Sequence, residues 1–144
     1  MARIATELTI AAPPPVVWRA FLDRARWKTF SSFHDLDPGR PLVEGARFWL
    51  GIRAAGPVPL PIKVKVLRRV EERELRWAGG GPGIRGEHWF LFEPEGEGWT
   101  RFRHGEDFTG PLGELLVRLG GGVARGLFES FNQGLARLVE PQPR

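Results

Sequence analysis

A chain of 144 residues, 42% hydrophobic and 26% charged, is long enough to bury one core without disulfide or metal staples, and its composition is not that of a disordered protein. Its 21 basic residues outnumber 17 acidic ones for a net charge of +4, yet the arginines are scattered singly or diluted by acids, as in residues 68–74, and no helix-turn-helix, zinc-finger or RNP pattern points to nucleic acid. With no Cys there are no disulfides or thiolate metal sites, no apolar run reaches the roughly 18 residues of a membrane span, and the start lacks a signal-peptide pattern; a cytoplasmic protein is expected.

Residues 3–11 alternate, with Ile4, Thr6, Leu8 and Ile10 on one face, as a half-buried strand does. Pro13, Pro14 and Pro15 stop the strand and suit a helix start, where a missing N–H costs nothing. Val16, Val17, Trp18, Phe21 and Leu22 then predict a short helix. Residues 24–42 read as irregular, with Trp27, Phe30 and Phe33 spaced for one helical turn at most, and Asp37-Pro38-Gly39 as a turn. In that stretch His34 is expected to be solvated.

Further strands follow. Ala46, Phe48, Leu50 and Ile52 alternate with polar or small neighbours, and after a turn over residues 54–61 so do Ile62, Val64 and Val66. Leu75 and Trp77 mark a short strand that ends at the glycines from Gly79 onward. Gly81-Pro82-Gly83-Ile84-Arg85-Gly86 matches a dinucleotide-binding glycine pattern in letters only, because a strand rather than a helix follows it; it reads as a hairpin connection. No serine sits in a nucleophile elbow.

Residues 86–94 and 99–110 form two alternating strands around a Gly-rich turn. One face collects Phe90, Phe92, Phe102 and Phe108 with His88, His104 and Glu106. A turn centred near Gly96 sets His88 opposite His104 and Phe90 opposite Phe102, with Glu106 one diagonal away. Imidazole titrates near neutral pH, so these groups suit acid–base work or the orientation of a polar ligand group. Two His and a carboxylate could also hold a metal, but a polar patch facing a ligand, water or Asn132 is the reading adopted, with no metal and no cofactor.

From Pro111 on, Leu112, Leu115, Leu116 and Leu119, then Val123, Leu127, Phe131, Leu135 and Leu138, fall at helical spacing. Gly120, Gly121 and Gly122 cost about 2–3 kcal/mol of helix propensity together, so a kink or break is expected there. The Leu112 to Leu119 stripe is too short for a coiled coil but could serve as a homodimer seam. Strands in succession with helices at the ends predict a single α+β domain over residues 1–144, an antiparallel sheet of about six strands packed by helices.

This order of elements resembles the START-like or SRPBCC superfamily, the helix-grip fold, most closely its polyketide cyclase/dehydrase-like branch. The resemblance rests on the Gly86 to Phe90 strand, Thr100-Arg101, the Glu106 to Gly110 stretch, Phe128 to Leu135 with Asn132, and the first strand followed by Pro, Val17-Trp18 and Trp27. It implies a bent sheet wrapped around a long C-terminal helix, with a cavity between them for a small hydrophobic molecule of lipid, polyketide or aromatic type. The polar end of that cavity would be His88, His104 and Glu106. Its walls would come from Phe30, Phe48, Leu50, Trp77, Phe90, Phe102, Leu112, Leu116, Phe128 and Phe131. Two other readings follow: a cyclase or dehydrase with His88 or His104 as general base and Glu106 orienting it, and a regulatory or interaction protein without ligand.

Overall fold

The computed structural model describes residues 1–53 and 57–141. Residues 54–56 of the expected turn, and the last residues 142–144, lie outside them. Seven strands make one antiparallel sheet in the order β1-β7-β6-β5-β4-β3-β2, curled into a half-barrel. They are β1 (Ala2–Ile10), β2 (Phe33–Asp35), β3 (Arg47–Ile52), β4 (Leu60–Val70), β5 (Glu74–Gly81), β6 (Ile84–Pro94) and β7 (Thr100–Thr109). Helix α1 (Pro14–Leu22) starts on prolines and buries Val17, Trp18 and Phe21; the one-turn α2 (Trp27–Phe30) follows a short 3-10 turn (Arg24–Arg26). The C-terminal helix α3 (Pro111–Val139) lies in the grip of the sheet.

Alternation sets the inward face as the sequence indicates. Phe48 and Leu50, Val64 and Val66, Leu75 and Trp77, Phe90 and Phe92, and Phe102 and His104 are all buried. A register shift between Val66 and Arg68 inserts a bulge that bends β4. The packed core fills one end of the half-barrel. There Trp18, Phe21, Trp27, Phe90, Phe92 and Phe131 meet ring against ring, with centroids 4.7–6.2 Å apart.

Three expectations need correction. Phe33 and His34 are in strand β2, paired with Ile52 and Gly51, rather than in a loop. The cause is tertiary: Asp35 on that strand forms a buried ion pair with Arg24 at 3.0 Å, and Arg24 also donates to the carbonyl of Pro38 at 2.7 Å. His34 is therefore half-buried, and its Nε2 is enclosed with no hydrogen-bond partner among the described residues. Next, α3 runs unbroken through Gly120–Gly122. A Cβ there would meet nothing closer than 3.5 Å, so no close approach demands the glycines. Packing of the helix's second half on the sheet and helical cooperativity outweigh their low propensity. Finally, the β6–β7 hairpin pairs His88 with Glu106 and Phe90 with His104, two residues from the expected register. Left-handed glycines at both Gly96 (φ 69°) and Gly98 (φ 80°) centre the turn on Glu97 instead. A slip of two preserves every side chain's face, which is why the inward set survives.

Candidate functional site

The two halves of α3 behave differently. Its second half buries Phe128, Phe131, Asn132 and Leu135 and plugs the core end of the half-barrel. Its first half leaves Leu112, Leu115, Leu116 and Leu119 exposed and roofs the other end without filling it. Beneath it lies a cavity of about 620 Å³, walled by β2 to β7 and by Leu116, Ala124, Leu127 and Phe128 of the helix. The floor is lined by Gly79, Gly80, Gly81 and Gly86, which add no side chain of their own to it. An added Cβ at Gly79 would lie 2.9 Å from the Lys63 carbonyl, and one at Gly86 would lie 2.2 Å from Glu106 Oε2 and displace that carboxylate.

Of the residues expected to form the site, Leu50, Trp77, His88, Glu106, Leu116 and Phe128 come together on the cavity wall. Phe48, Phe90, Phe102 and Phe131 are buried in the solid core, and Phe30 packs on Phe131 with centroids 5.4 Å apart. Leu112 is exposed on the helix surface, and its backbone N–H donates to the Gly83 carbonyl at 3.0 Å. The wall also uses Phe33, Ile52, Ile62, Val64, Ile84 and Phe108. The inward alternation of Ile52, Ile62, Val64 and Phe108 was a visible signal for four of these. Phe33 was hidden by its helical spacing, and the glycine floor read as the end of a strand.

His104 is fully buried and stands behind His88 rather than on the wall. Its Nε2 is 2.6 Å from His88 Nε2, and its Nδ1 is 2.8 Å from Asn132 Oδ1. The direction of this chain follows from its far end. Thr6 donates its hydroxyl proton to the His104 carbonyl at 2.8 Å, so its oxygen accepts from Asn132 Nδ2, also at 2.8 Å. Asn132 therefore turns its carbonyl oxygen to His104, and His104 Nδ1 must carry the proton. A neutral His104 then offers a lone pair at Nε2, to which His88 Nε2–H donates. Burial, and secondarily the His88 imidazole, push the His104 pKa well below its ordinary value, which keeps that ring neutral. Nε2 atoms so close leave no space for a metal between them.

One nitrogen of the dyad remains for chemistry. His88 Nδ1 faces the Glu106 carboxylate at 3.5 Å, and both groups border the cavity. Among the described lining residues the other ionisable group is Lys63, whose ammonium sits 5.8 Å over the ring of Trp49. No group of three His, Asp, Glu or Cys suited to a metal occurs among the described residues.

The model for polyketide cyclase / dehydrase and lipid transport proteins matches residues 1–140. The chain belongs to that family. It is similar to TTHA0849 from Thermus thermophilus, with 26% identity, a TM-score of 0.70, and 96% of this chain and 97% of that one covered. The hypothetical protein jhp0584 from Helicobacter pylori superposes with a TM-score of 0.77 at 15% identity, over 96% of this chain and 88% of that one. Truncated norcoclaurine synthase from Thalictrum flavum does so with a TM-score of 0.70 at 15% identity, over 99% and 95%. The last two show a shared fold. No curated protein matches the chain. Among the described residues, no helix is long and apolar enough to cross a membrane.

Proposed function

We propose that the protein binds a small hydrophobic molecule of lipid, polyketide or aromatic type between the sheet and α3. The observation that carries this reading is the cavity of about 620 Å³, apolar on most sides and ending in His88 and Glu106. Its volume is in the range of small-molecule sites, roughly 300–1,000 Å³, and a few convergent polar groups in an apolar wall are what such sites use to fix orientation. Family membership in a group described as cyclases, dehydrases and lipid transport proteins supports the same class of ligand. Thermal-shift measurements with a panel of lipids and polycyclic aromatics test it. Binding raises the melting temperature by mass action on the native state; a panel that leaves it unmoved removes the reading.

A second reading, general-base catalysis on a carbonyl compound, is favoured by the free Nδ1 of His88 beside Glu106. Norcoclaurine synthase, an enzyme of the same fold, is known as a point mutant in complex with a transition state analogue. Here the base would be His88, since His104 does not reach the cavity. Turnover that persists in His88→Gln excludes it. Cytoplasmic residence and homodimerisation belong to the proposal as well; the dimer is supported by the exposed stripe of Leu112, Leu115, Leu116 and Leu119, the last 77% exposed.

A further inference from the structure

The polar end of the cavity says more than that a polar group is wanted. Glu106 projects from β7 into the space that Gly86 leaves open on β6, and His88 stands beside it on the same wall. The Glu106 carboxylate accepts no hydrogen bond from the described residues; its one close partner is His88 Nδ1 at 3.5 Å, too long for a well-formed bond. The Thr6–Asn132–His104 chain holds the His88 ring in place and commits its other nitrogen. Two directed polar atoms thus face an otherwise apolar space with unused hydrogen-bonding capacity.

Resting on the cavity-binding reading, we propose that this site selects apolar molecules ending in a neutral hydroxyl, as in an alcohol, a phenol or an enol, over those ending in a carboxylate. A hydroxyl both donates and accepts. It can donate to Glu106 or to His88 Nδ1, which presents a lone pair because the ring's N–H is spent on His104. A ligand carboxylate only accepts, so it brings a second negative charge against Glu106 in a poorly solvated pocket and gives that carboxylate nothing. The ammonium of Lys63 is the one cation on the described wall that could reward an anion, and it is held against the ring of Trp49.

The test is calorimetric titration of the native protein, Lys63→Ala and Glu106→Gln with 2-naphthol and with 2-naphthoate, which share a ring system and differ in charge at neutral pH. The native protein and Lys63→Ala should both bind 2-naphthol at least about tenfold more tightly than 2-naphthoate, and Glu106→Gln, which keeps the shape and drops the charge, should narrow that ratio to within about threefold. Equal or tighter binding of 2-naphthoate in both the native protein and Lys63→Ala overturns the inference while leaving the cavity reading intact. A ratio that Glu106→Gln leaves unchanged overturns it also. If neither probe binds and the lipid and aromatic panel gives no thermal shift, the cavity reading itself has failed. The native comparison stands alone should Glu106→Gln fold poorly.

Discussion

The neutral, buried state of His104 makes the stability of the protein depend on pH in a way that can be calculated. The ring is fully buried, and its pKa lies well below the 6.5 of an exposed imidazole, burial being the first cause. In the unfolded chain His104 takes up a proton below that value, and in the folded chain it does not. A depressed folded-state pKa of a base therefore gives stability that is complete above pH 6.5 and is lost as the pH falls. Unfolded-state protonation alone sets the limit: about 1.4 kcal/mol of stability lost at one pH unit below 6.5, against under about 0.1 kcal/mol at one unit above. Urea unfolding at those two pH values measures it. The comparison variant is His104→Gln, whose amide oxygen can still accept from His88. Other groups are shifted as well: His34 is also lowered by burial, and Asp35 is raised by it, with the opposite sign. Both are present in each protein and cancel in the difference. The native protein should lose up to about 1.4 kcal/mol more than His104→Gln between the two pH values. Equal losses would refute the assignment of a neutral His104, and with it the directed hydrogen-bond chain from Thr6.

Three further outcomes are expected. Asn132→Leu leaves the His104 Nδ1–H without its side-chain acceptor and Thr6 without its donor, and should lower stability by about 2–4 kcal/mol in urea unfolding. Asp35→Ala strands the buried Arg24 guanidinium and should cost about 3–5 kcal/mol; a change below about 1 kcal/mol would mean that its backbone carbonyl contacts suffice. Gly122→Ala meets open space on a continuous helix and should stabilise by up to about 1 kcal/mol, whereas destabilisation would show that α3 needs a flexible point there.

The strand faces were legible because period-two alternation is a local property: Phe48 and Leu50, or His88, Phe90 and Phe92, announce their side without reference to the rest of the chain. The hairpin register was not, because it turns on whether one or two glycines adopt positive φ, and Gly96 and Gly98 both do. Gly79, Gly80 and Gly81 carry no side chain to alternate, so the part of β5 that lines the cavity floor was indistinguishable from a strand end. The Arg24–Asp35 pair and the reach of Asn132 to both Thr6 and His104 depend on how distant elements dock, which no spacing in the sequence records. Thus the sequence showed which residues share a face, while the structure was needed to separate His88, on the wall, from His104 behind it.

Native mass spectrometry of the freshly purified protein asks most directly whether the space under α3 is a binding cavity. A discrete non-covalent adduct on the 16.2 kDa chain is expected, lost on activation and absent from Ala124→Phe, which places a ring in the cavity from the helix side. The bare mass for the native protein, or the same adduct undiminished in a folded Ala124→Phe protein, would contradict the account.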